Sequence, residues 1–90
     1  MLKDVVEVAP RGQYRLWVKF QDGVQGEIDL GPELTFQGMF ASLRDPAYFA
    51  RVRLDPDLGT ICWPNGADWD PLTLYSIVTK RPIESLLAGP

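Results

Sequence analysis

Apolar and polar residues alternate most cleanly over residues 14–20. Tyr14, Leu16, Val18 and Phe20 fall on one side, Arg15, Trp17 and Lys19 on the other. This is the two-residue period of a half-buried strand. Residues 24–30 repeat it, with Val24, Gly26, Ile28 and Leu30 against Gln25, Glu27 and Asp29, and Gln21-Asp22-Gly23 lies between the runs. A two-residue Asp-Gly loop pairs Phe20 with Gln25 and Val18 with Glu27, so apolar side chains meet polar ones on the same face. A three-residue loop pairs Phe20 with Val24, Val18 with Gly26, Leu16 with Ile28 and Tyr14 with Leu30, and every apolar residue then shares one face. A slip of one residue flips a whole strand, so the pattern selects the longer loop, a type I turn with Gly23 left-handed in a bulge. The same register sets Arg15 opposite Asp29 and Trp17 opposite Glu27 on the outer face.

Residues 2–9 are rich in Val and stop at Pro10, which predicts a strand followed by a turn at Pro10-Arg11-Gly12. Residues 52–55 and 60–63 read as a second hairpin around Pro56-Asp57-Leu58-Gly59. Its pairing sets Val52 against Trp63, Arg53 across from Cys62, and Leu54 against Ile61. Two Asp-Pro pairs mark helix starts, with Asp as N-cap and Pro at the first helical position. Asp45-Pro46 leads into Tyr48 and Phe49; Asp70-Pro71 leads into the stripe Leu72, Leu74, Tyr75 and Val78. Glu33 to Leu43 has partly helical spacing that Gly38 interrupts, and 82–87 predicts one more helical turn. The expected fold is α+β: a small, twisted, mainly antiparallel sheet built from two hairpins and an N-terminal strand, with two or three short helices. Residues 1–80 form the single domain and 81–90 a short tail.

Composition narrows the chemistry. The 90 residues include nine Lys plus Arg, twelve Asp plus Glu, one Cys and no His, for a net charge of −3. Without His there is no Ser-His-Asp triad, imidazole base or His metal ligand. The lone Cys62 forms no disulfide within the chain and no Cys-based zinc site. The basic residues are scattered, which argues against binding the phosphate backbone of nucleic acid and for a basic partner. Asp4 and Glu7 break any apolar signal core, and no segment approaches a membrane span of about 20 residues. A cytoplasmic protein is expected, consistent with one unpaired Cys.

Phe20-Gln21-Asp22-Gly23 after an alternating strand is followed by Leu43-Arg44-Asp45-Pro46 with Phe49. Then come Trp63-Pro64-Asn65-Gly66-Ala67-Asp68 and Leu74-Tyr75. In order and spacing these segments resemble the bacterial domain-of-unknown-function family 2442, over about Val5 to Tyr75. Its pattern is an F-x-D-G hairpin, an L-x-D-P-x-x-F helix start, and W-P-x-G-x-D leading to L-Y. The resemblance implies a small α+β domain and no established activity. Some members carry a helix-turn-helix after this domain. Others resemble small partners encoded beside another small protein, as in toxin and antitoxin pairs. The fifteen residues after Tyr75 are too few for two helices and a turn, so the DNA-reading module is expected to be absent.

Each reactive residue type has a structural alternative. Asn65, Asp68 and Asp70 form the densest oxygen cluster, but lack the remaining ligands of a cation site; turn chemistry and the Asp70 cap explain most of it. Asp68 needs no cap, and is expected to be buried and to bind N–H groups of the Asn65-Gly66 loop. Asp22, Asp45 and Asp57 fall in turns or caps. Cys62, in a strand beside Trp63, reads as a small apolar residue, since a nucleophile would lack its His. Ser42, Ser76 and Ser85 sit in no nucleophile motif, and the glycines assemble no phosphate loop. The structural motif residues are therefore Asp22, Gly23, Asp45, Pro46, Trp63, Gly66, Asp68, Asp70 and Tyr75.

Trp17 points away from the apolar face, with Arg15 beside it, which suits an interface anchor as well as packing under Glu33–Leu43 or the tail. Trp69, between two Asp residues, either packs on the core or faces a partner. Trp17, Arg15 and Trp69 are the candidate partner-binding residues. The expectation is a non-enzymatic interaction or regulatory domain without cofactor or metal, binding another protein, in its most specific form antitoxin-like. An open edge strand also suits a homodimer. The competing readings are a nucleic-acid-associated regulator and an Asp-based metal site.

Overall fold

Three strands, β1 (Val5–Pro10), β2 (Arg15–Phe20) and β3 (Gln25–Asp29), form an antiparallel sheet in that order in the computed structural model, which describes residues 4–82. Leu16 pairs with Ile28, Trp17 with Glu27 and Val18 with Gly26, the register of the three-residue loop. The Phe20 N–H donates to the Val24 carbonyl at 2.7 Å, and the Gly23 N–H to that of Phe20 at 2.9 Å. Gly23 has φ +95°, the left-handed conformation the bulge requires. Leu16, Val18 and Phe20 are fully buried, with Ile28 and Leu30 beside them.

β1 pairs with β2 from Val5–Phe20 to Pro10–Leu16, with a bulge between Val5 and Glu7. Pro10 is thus still within the strand, where an edge position tolerates its missing N–H. The reversal comes later than expected, at Gly12 and Gln13, both with positive φ.

The second hairpin is a separate two-stranded sheet, β4 (Arg53–Asp55) and β5 (Thr60–Cys62). Its rungs are Arg53–Cys62, Leu54–Ile61 and Asp55–Thr60, as expected. The Val52–Trp63 rung is not part of the ladder. Instead the Trp63 N–H donates to the Ala67 carbonyl at 2.9 Å as the chain turns back, and Cys62 bridges to Asp68 on the other edge of β5. Asp55, rather than Asp57, holds the hairpin loop, accepting from the N–H groups of Asp57 and Leu58. The two sheets meet where the Val5 N–H donates to the Gly59 carbonyl at 2.9 Å. Gly59 has φ +68°, which disfavours other residues, and a Cβ there would lie 2.5 Å from Asp4 Oδ1 and have to displace that side chain.

The Asp-Pro pairs at 45–46 and 70–71 start helices, α1 (Pro46–Phe49) and α2 (Pro71–Thr79), whereas the third pair in the chain, Asp55-Pro56, opens the β4–β5 loop. The Asp45 carboxylate accepts from the Ala47 N–H and that of Asp70 from the Leu72 N–H. Lys80, left-handed at φ 58°, ends α2. The segment after β3 resolves into two 3-10 turns, Gly31–Glu33 and Gly38–Arg44, the second opening on Gly38 with φ +58°. The helical turn expected over 82–87 and nearly all of the tail lie outside the described residues, as does the start of the N-terminal strand.

Trp63, Phe49, Leu43, Ile61 and Leu74 join the strand residues in one core. Each such side chain contributes about 1.5–3 kcal/mol by leaving water. Tyr75 packs its ring edge-on against Phe20 at 4.9 Å between centroids.

Candidate functional site

The motif residues lock the elements to one another. The Tyr75 hydroxyl donates to Asp22 Oδ2 at 2.6 Å, while Oδ1 of the same carboxylate accepts from the Val24 N–H. One side chain thus closes the β2–β3 loop and ties it to α2. That hydrogen bond, with burial and the negative charge of Asp22 adding to it, raises the pKa of Tyr75 above the usual 10.0. The buried Trp63 indole donates to the Phe49 carbonyl at 2.9 Å, joining the turn after β5 to the end of α1. Asn65 holds its own turn through the Ala67 N–H and reaches the Met39 carbonyl at 2.8 Å. The Tyr14 hydroxyl donates to the Arg44 carbonyl, and the Thr60 hydroxyl to that of Trp69.

Asp68 departs from expectation. Its side chain is exposed, and the N–H it was expected to bind is taken by Asn65. The backbone bridge to Cys62 sets Asp68 on the edge of β5, and its carboxylate projects to the surface. The Asn65, Asp68 and Asp70 cluster is accordingly divided. Asn65 and Asp70 hold turn and cap, Asp70 also accepting from the Thr73 hydroxyl at 3.1 Å. Among the described residues no three His, Cys, Asp or Glu stand together as a metal site. Cys62 is buried, opposite Arg53.

Two half-buried tryptophans remain. Trp17 lies on the outer sheet face and is not among the residues packed on the core. The Arg11 guanidinium lies 5.9 Å from its ring centroid. Its neighbours neutralise one another. Arg15 Nη1 is 3.6 Å from Glu27 Oε1, and Lys19 Nζ 3.7 Å from Glu7 Oε2. Arg15 pairs diagonally with Glu27 rather than with Asp29 opposite, because the Asp29 carboxylate accepts from the Gly31 N–H.

Trp69 packs against the core and edge-on against Phe40, at 5.7 Å between centroids. The two rings line an open cleft of about 340 Å³ with Leu34, Glu33, Asp68, Asp70 and two threonines. The cleft draws on three stretches of chain: 33–40, 68–70 and the first turn of α2. Of its residues, sequence reasoning had singled out only Trp69, Asp68 and Asp70. Glu33 and Phe40 carry no local signal, since their placement depends on how the 3-10 segment meets Trp69, about thirty residues away in the chain.

A family model described as a protein of unknown function (DUF2442) matches residues 5–80. The chain belongs to this family. No curated protein and no solved structure was found to match it. In this DUF2442 domain the F-x-D-G and L-Y motifs meet in the Asp22–Tyr75 bond, and the L-x-D-P-x-x-F and W-P-x-G motifs in the Trp63–Phe49 bond. Among the described residues no helix is long and apolar enough to cross a membrane.

Proposed function

We propose that this DUF2442 protein is a non-catalytic interaction domain that regulates a protein partner. The observation that carries the reading is the engagement of its carboxylates. Asp22, Asp29, Asp45, Asp55 and Asp70 each accept a backbone N–H at a turn or cap. In a chain without His, carboxylates are the groups that would serve general acid–base chemistry, and these five hold loops in place. The half-buried ring of Trp69 lies outside this network and offers contact area among charged side chains, whereas Arg11 already covers that of Trp17.

The specific form of the reading is an antitoxin-like role, binding a small protein encoded nearby, and it rests on family analogy. Its test is co-expression of the tagged full chain with the product of the adjacent gene. Co-purification through gel filtration is expected; separate elution of two folded proteins overturns it. A gel shift at low salt against the protein's own promoter region is expected to be negative, and a salt-sensitive shift would favour the nucleic-acid reading instead.

A further inference from the structure

We infer that the cleft between Phe40 and Trp69 receives an arginine side chain of the protein partner, an assignment that rests on the interaction reading above. Two independent observations lead to it. The first is how this chain treats its other half-buried rings. Arg11 lies over Trp17 at 5.9 Å, Arg44 over Phe36 at 5.2 Å and Arg51 over Tyr48 at 5.5 Å. Tyr14 is covered by Phe36 and Phe49 and its hydroxyl is bonded. Phe40 and Trp69 are the remaining half-buried rings, and no described arginine lies over either. Their edge-on packing leaves at least one face of each ring free of the other.

The second observation is charge. Glu33, Asp68 and Asp70 line this cleft, and none of them forms an ion pair with a described Lys or Arg. On the sheet face Glu7 and Glu27 both have one. Outside the described residues the sequence holds a single base, Lys3. A ring face beside carboxylates that have no cation attracts one. These carboxylates are not grouped as a metal site. A planar guanidinium stacks on a ring and donates to carboxylates at the same time, which an ammonium does less well.

The test uses the 15N-labelled full chain, whose three tryptophans give three indole N–H signals. The probe is N-acetyl-arginine amide, compared with the lysine and the uncharged citrulline amides. The Trp69 indole signal should move saturably with arginine, with half-saturation on the order of tens of millimolar for one exposed cation–π contact and its ion pairs. Lysine should bind more weakly, and citrulline should not shift the signal. Glu33→Gln with Asp68→Asn alters only exposed positions, so the spectrum should stay folded while arginine binds about fivefold to tenfold more weakly.

An unmoved Trp69 signal, or citrulline acting as well as arginine, overturns the assignment. So does a shift of the same signal by magnesium or calcium at micromolar concentration, which would make the cleft a metal site. A dimer of the free chain that the Glu33/Asp68 variant abolishes would place a second copy there and overturn it as well. Failure here with co-purification of the adjacent gene product intact moves the contact elsewhere and leaves the interaction reading standing. Failure of co-purification removes the reading itself.

Discussion

The sheet face around Trp17 and the cleft around Trp69 are built from the same ingredients, a half-buried indole ringed by charged side chains. They differ in balance. Around Trp17, Arg15 and Lys19 stand against Glu27 and Glu7, and Arg11 covers the ring. Around Trp69 three carboxylates have no cation from the described chain. The first surface is complete in itself; the second is complementary to something positive. An aromatic ring among charges is therefore a poor sign of a contact site until its counter-charges are placed.

The comparison depends on a frame that holds the cleft open, and breaking the frame should have the largest effect. Trp63→Ala empties a buried site beside Phe49 and should cost about 3–5 kcal/mol in urea unfolding. Asn65→Ala frees the Met39 carbonyl and the Ala67 N–H, for a loss of about 1–2 kcal/mol. Since Asn65 ties the 38–44 turn in place, the same variant should shift the Phe40 and Trp69 resonances more than that of Trp17. Tyr75→Phe should cost about 1 kcal/mol by removing the bond to Asp22.

Tyr75 also sets an alkaline limit. Its folded pKa is raised, so above pH 10 the unfolded state loses this proton before the folded state does. Its contribution is whole below the unfolded pKa of about 10 and is lost as pH rises through the folded value. Unfolding of wild type and Tyr75→Phe across that range should converge; a constant gap would refute the role of the bond.

The smallest effects separate the two surfaces by sign. Arg15→Gln with Lys19→Gln removes the cations of the sheet-face pairs and should destabilise by no more than about 0.5–1 kcal/mol. Glu33→Gln with Asp68→Asn removes uncompensated like charges and should be neutral or stabilising by up to about 0.5 kcal/mol. Equal destabilisation by both pairs would mean that the cleft acids have counter-charges after all.

The sequence spoke most clearly where the determining contacts are local or periodic. The β2–β3 register followed from alternation on a half-buried face, and the two helix starts from Asp-Pro, because cap and capped N–H are two residues apart. The sheets separated because β5 turns away at Trp63, whose indole is drawn to Phe49 across the core. Asp68 was misread for a related reason. Either Asn65 or Asp68 suits the short turn, and the tie from Asn65 to Met39, twenty-six residues away, favours Asn65. Trp17 and Trp69 look alike in sequence because the pairing of the charges around them depends on contacts between elements: Glu27 and Glu7 reach Arg15 and Lys19 from the flanking strands, whereas Glu33, Asp68 and Asp70 meet no described cation. The cleft was illegible because it joins a 3-10 segment, a strand edge and a helix start that no single period connects.

The most direct measurement follows the Trp69 and Trp17 indole signals together while N-acetyl-arginine amide is added to the labelled full chain. Saturable movement of Trp69 with Trp17 unmoved is the predicted result. Parallel, unsaturable drift of both signals would contradict the distinction between the two surfaces.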